Sequence, residues 1–202
     1  IAALRERADR HGGFLILDEV ITGFGRLGRW WGAQFYDVVP DLVTFAKGVT
    51  SGYQPLGGVL VGRAVRQRLE SDPSLVLRTG HTYGGHPTAC AAGMANLDIM
   101  EREGLVDRAV KVGDRLRRGL EGVVDGEAVT GVRGEGAVWA VAFGGHVNAT
   151  DVRDEMLFRE VIARPIGNDT MAFCPPLVIT EADVDRCGAA LAESVEVVAA
   201  RA

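Results

Sequence analysis

Phe14-Leu-Ile-Leu-Asp-Glu-Val-Ile-Thr-Gly-Phe-Gly-Arg-Leu-Gly28 is the stretch on which the reading of this chain turns. Gly23, Gly25 and Gly28 spell G-x-G-x-x-G shortly after an apolar run, the wording of a dinucleotide-binding turn. That turn needs its glycines to join strand directly to helix, with an acidic residue closing the next strand. Here Asp18-Glu-Val-Ile-Thr22 intervenes before Gly23, and Arg29-Trp-Trp-Gly32 follows where an apolar-periodic helix should begin. The next strand candidate runs into Lys47 and not into Asp or Glu. The spacing argues against a nicotinamide cofactor, and the glycines read as permitting a tight loop.

Working outward, Ile1 to His11 has helical spacing, with Ile1, Leu4 and Ala8 on one face, and Gly12-Gly13 ends it. No N-cap and no initiator Met precede Ile1, so the chain is expected to be a piece of a longer protein. Phe14 to Leu17 reads as a buried strand ending at Asp18, Leu42 to Phe45 as a second, and Gly57 to Gly62 as a third. Arg63 to Glu70 is a short amphipathic helix. Thr79 to His86 is small and polar, a loop, and Pro87 then starts a long helix through about Glu103. Gly104 interrupts it before a further helix to about Leu120. This order predicts an α/β sheet with crossovers.

The second half reads as smaller and mixed. Strands are expected at Ala128-Val-Thr130, Ala137 to Phe143 and Thr170 to Phe173, and a helix from Thr150 to Ile162. Thr180 with Asp183 three residues on is a capping box, and Val184, Leu191, Val195 and Val198 give the helix after it an apolar stripe. The expected domains are 1–103 and 104–202.

Composition narrows the function classes. The chain has 202 residues, 47% hydrophobic and 24% charged, with net charge −5. That balance leaves no basic footprint for nucleic acid. The apolar runs are too short for a membrane span, and no basic-then-apolar leader opens the chain. Cys90, Cys174 and Cys187 are an odd count without paired spacing, which fits a reduced, cytoplasmic protein. His81 and His86 have no metal-ligand spacing with other ligands, so no metal is expected.

Asp18 and Lys47 each stand just past the carboxyl end of an apolar strand, where open α/β sheets place ligands. A carboxylate in apolar surroundings is costly without a cationic partner, and a desolvated lysine becomes a nucleophile toward carbonyls. Two arrangements meet these demands. One is a simple Asp–Lys ion pair across two strand ends. The other is pyridoxal phosphate (PLP), its aldehyde on the lysine and its pyridinium nitrogen on the carboxylate.

The wider wording favours the second. Asp18-Glu-Val-Ile-Thr-Gly-Phe-Gly-Arg26, Pro40-Asp-Leu-Val-Thr-Phe-Ala-Lys-Gly48 and Gly52-Tyr-Gln-Pro-Leu-Gly-Gly58 resemble the class III, PLP-dependent aminotransferases. So do His81-Thr-Tyr-Gly-Gly-His-Pro87 and Cys174-Pro-Pro-Leu-Val-Ile-Thr180. The resemblance covers most of this chain, weakest from about Glu121 to Glu160, and corresponds to the C-terminal half of a usual member. It implies the fold-type I PLP-dependent transferase fold, as part of the large domain plus a small C-terminal α+β domain.

It also implies roles. Lys47 would form the Schiff base and then move protons between the substrate and the cofactor. Asp18 would hold the pyridinium nitrogen, and Val20 would pack on one face of the ring, a place an ordinary core valine would equally fill. Thr82 would reach the cofactor phosphate of a neighbouring subunit, which implies a homodimer with shared sites. Arg164, just before a short strand, would grip a substrate carboxylate, as in the ω-aminotransferase branch. The implied activity is transfer of an amino group between an amine or amino acid and a keto acid. Aminomutase, decarboxylase or lyase chemistry, or an inactive truncated fragment, are the alternatives.

Overall fold

The computed structural model describes residues 1–201 and divides into two units, Ile1–Val106 and Asp107–Ala202. In the first unit, α1 (Ala2–Arg10) precedes β1 (Ile16–Asp18), and a loop leads to the short α2 (Gly32–Phe35). Then come β2 (Leu42–Phe45), β3 (Gly58–Val61), α3 (Arg63–Ser71) and α4 (Pro87–Arg102). The sheet order is β1-β2-β3. β1 and β2 are parallel, with Ile16 opposite Leu42 and Asp18 opposite Thr44. β3 returns antiparallel, Leu42 facing Val61 and Phe45 facing Gly58.

β1 begins two residues later than its apolar run. The reason is Asp41, whose carboxylate accepts the Leu15 N–H at 2.8 Å while its own N–H donates to the Leu15 carbonyl at 2.8 Å. Leu15 is therefore held by a side chain before the ladder starts. Arg5 of α1 donates to the same carboxylate at 2.7 Å and to Asp9 at 2.6 Å. This hydrogen bond from the Arg5 guanidinium, with the Leu15 N–H second, holds the Asp41 carboxyl below its ordinary range. One aspartate thus ties the first helix to the starts of both parallel strands.

α4 starts with Pro87 at its first position, where a missing N–H costs nothing. The His86 Nδ1 accepts from the Ala89 N–H at 3.4 Å. The helix stops where Gly104 takes a left-handed φ of 61°.

The second unit contains most of α5 (Leu105–Glu121), since the division falls in that helix's first turn. It continues with β4 (Val129–Glu135), β5 (Val138–Phe143), α6 (Ala149–Phe158), β6 (Arg164–Ile166), β7 (Thr170–Phe173) and α7 (Glu181–Ala199). Its sheet, in order β4-β5-β7-β6, is antiparallel throughout. Ala109, Val112, Leu116 and Leu120 form the buried stripe of α5, and Val184, Leu191, Val195 and Val198 that of α7. With Val141, Met156, Met171 and Phe173 they make one cluster, each large side chain worth about 1.5–3 kcal/mol on burial. Half of the expected capping box forms: the Thr180 hydroxyl accepts the Asp183 N–H at 3.1 Å as an N-cap, while the Asp183 carboxylate accepts from that hydroxyl at 2.6 Å and not from the Thr180 backbone N–H. Among the described residues, no helix is long and apolar enough to cross a membrane.

Candidate active site

Parallel strands leave their carboxyl ends on one edge of a sheet, and that edge is where α/β folds bind ligands. In the first unit it carries Asp18, the last residue of β1, and Lys47, three residues beyond the Thr44 that faces Asp18. Both are exposed. The Asp18 Oδ1 accepts the Val20 N–H at 3.1 Å, which turns the chain at the strand end. Among the described residues no ion pair joins Asp18 to Lys47, so mutual neutralisation is not what these two groups do in this chain.

Lys47 begins a 3₁₀ turn, Lys47–Val49, with a φ of 44°. A side chain in the left-handed region costs roughly 1–2 kcal/mol, and such outliers concentrate at functional sites. A carboxylate and an amine at adjacent strand ends, each accessible, suit a ligand offering an N–H to the one and a carbonyl carbon to the other.

The loop after Asp18 is organised by a residue that the sequence reading passed over. Glu19 has a relative exposure of 2%. Its carboxylate accepts the Gly32 N–H at 2.5 Å, the Ala33 N–H at 2.7 Å and the Thr22 hydroxyl at 3.1 Å. The start of α2 is thereby tied back to the residue next to Asp18. The three glycines serve this loop, not a cofactor turn: Gly25 and Gly28 take φ of 85° and 77°. A Cβ on Gly23 would lie 2.9 Å from the Glu19 carbonyl oxygen. Phe24, Trp31 and Phe45 pack ring to ring beneath, with centroids 5.0–6.0 Å apart. Only α2, four residues long, follows, so the loop is no dinucleotide turn.

The other residues fall as follows. Val20 is half-buried, two residues past Asp18. Thr82 is exposed in the loop between α3 and α4, inside the turn closed by the Gly84 N–H on the His81 carbonyl (2.9 Å) and ahead of the next, closed by the His86 N–H on the Tyr83 carbonyl (3.2 Å). Arg164 belongs to the second unit and is exposed. It is the first residue of β6, a strand the sequence did not predict, and pairs with Ala172 of β7, the short strand expected just beyond it. Concavity alone does not mark the site. A cavity of about 350 Å³ in the second unit, lined by Phe173, Cys174 and Cys187, contains none of these residues.

Residues 1–195 match the family profile described as aminotransferase class-III. A taurine–pyruvate aminotransferase of Bilophila wadsworthia is 36% identical over 206 residues, covering 90% of this chain and 44% of that protein. Among solved structures, a transaminase from the marine bacterium Virgibacillus superposes with a TM-score of 0.92 at 36% identity, over 98% of this chain and 48% of that one. An amine transaminase from an uncultivated Pseudomonas species, described in its PLP-bound form, gives 0.87 at 37% identity, over 98% and 47%. The chain thus spans less than half the length of the relatives it matches.

Proposed function

This chain belongs to the class III aminotransferases and has the fold-type I architecture of their family, and from that premise we propose a function for the whole protein. It is a PLP-dependent transaminase that moves an amino group between an amine or amino-acid donor and a keto acid. The observation that supports this is that Asp18 ends β1 and Lys47 follows the neighbouring carboxyl end of the parallel strand β2.

PLP, when bound, supplies an aldehyde that condenses with an amine and a ring that withdraws electrons. Lys47 is the amine that holds it, and the Lys47 Nζ then carries the proton between the substrate Cα and the cofactor. Asp18 binds the ring nitrogen, its negative charge favouring the protonated form there. Val20 packs on a ring face. Thr82 reaches the phosphate of a neighbouring subunit's cofactor, which makes the assembly a homodimer. Arg164 provides a planar fork for a substrate carboxylate. Three free cysteines fit a reducing compartment such as the cytoplasm.

The test uses the full-length protein. Borohydride reduction after adding PLP is expected to fix the cofactor on the Lys47 peptide, and an amine donor with pyruvate is expected to yield alanine. Lys47→Ala should abolish both. An adduct at Lys47 without alanine would point to the mutase, decarboxylase or lyase chemistries; no adduct would overturn the proposal.

A further inference from the structure

The turn that carries Lys47 is weakly held by its own backbone. Its hydrogen bonds, Val49 N to Ala46 O and Thr50 N to Lys47 O, are each 3.3 Å, and Ser51 N to Gly48 O is 3.4 Å. All lie beyond the usual 2.7–3.2 Å range. Yet Lys47 is kept at a φ of 44°, a conformation that an unsupported lysine leaves. Something outside the turn holds it.

That hold comes from α4. The Asn96 Nδ2 donates to the Gly48 carbonyl at 2.9 Å and to the Val49 carbonyl at 3.2 Å. Both acceptors are carbonyl oxygens, so the amide must present its NH₂ group, which has two protons to give. The bond to Gly48 is shorter than any of the turn's own. A second contact acts on the same residue: a Cβ on Gly48 would lie 3.0 Å from the Phe24 Cβ and 3.2 Å from its ring. Phe24 is buried, has a φ of 56°, and packs on Trp31 and Phe45. Gly48 thus has a rigid aromatic close against it and a side-chain amide on its carbonyl.

We propose that Asn96 is a positioning residue for Lys47: from α4 it fixes the left-handed turn and so sets where the lysine amine points and how readily it exchanges protons. The inference rests on the reading of Lys47 as the reacting amine. It assigns Asn96 no contact with substrate or cofactor.

Asn96→Asp is the sharpest variant, because it keeps the shape, removes both donors and sets a carboxylate against two carbonyl oxygens. Asn96→Leu serves as the second should the first misfold. In the full-length protein, amide exchange at Gly48, Val49 and Thr50 should accelerate. With two hydrogen bonds lost, kcat should fall about tenfold with KM within about twofold. The pH midpoint of the visible absorbance of Lys47-linked cofactor should move as well. A purely structural role would raise exchange and leave kcat and that midpoint at wild-type values, and this result would overturn the inference.

A cofactor-free arm separates the two claims. Lys47 and Lys111 are the chain's only lysines, and Lys111 is exposed on α5 in the other unit. Acetic anhydride labelling of the apo protein, followed across pH, should change at Lys47 and stay constant at Lys111 in the variant. If wild type yields no borohydride-stable adduct, the proposed function fails. The positioning inference is then decided by this labelling alone: a changed Lys47 profile supports it, an unchanged one sinks it.

Discussion

Glu19 is a buried carboxylate with two backbone N–H groups and a hydroxyl pointed at it, and that arrangement is sensitive to one atom. Glu19→Gln keeps the size but turns one acceptor into a donor, which must then face a backbone N–H. An orphaned buried group costs about 1–3 kcal/mol. Amide exchange at Gly32 and Ala33 should therefore rise by about tenfold, since 1.4 kcal/mol is a factor of ten. Unchanged exchange at both amides would show that the carboxylate does not hold this loop. The same scale explains what was legible. Asp18 and Lys47 could be read because each ends an apolar run, a pattern visible in a linear string. Glu19 and Asn96 act on backbone groups that are 13–14 and 47–48 residues away in the chain. No local period marks such a partner.

At the scale of elements, most helices and strands follow from spacing. Pro87 at the start of α4 and Thr180 before α7 are sequence signals that the structure uses as expected. The short strand β6 was not legible: Arg164-Pro-Ile166 contains a proline, and only its pairing with β7 makes it a strand. Asp41 supplies a prediction here. Its depressed pKa means its contribution is fully present above the ordinary value of about 3.9 and is lost as pH falls through the lower, folded value. Asp41→Asn should therefore weaken α1 and β1 near neutral pH and flatten their acid sensitivity below about pH 4. Amide exchange in Ala2–Arg10 and Ile16–Asp18, compared at two pH values, would measure it. An acid dependence identical to wild type would rule Asp41 out as the titrating group.

At the scale of the whole molecule, the two units differ in how much apolar surface they bury. The principal buried cluster runs from Ala109 to Val198, all of it within the second unit. In the first unit Phe14, Ile16, Val59, Leu60 and Val61 remain exposed on the sheet strands and their approach. Sequence could not distinguish these cases, since an apolar strand reads the same whether or not its faces find cover. Burial decides local stability, so amides of β5 and β7 should exchange more slowly than those of β1–β3 in this 202-residue chain. Leu191 is fully buried in α7, and Leu191→Ala should cost about 2–5 kcal/mol through lost contacts and the cavity left behind. The loss should appear as faster exchange across α7, β5 and β7 together, because one cluster links them. If only the amides adjoining Leu191 respond, the cluster is not a cooperative core, and the stability assigned to the second unit is local to its parts.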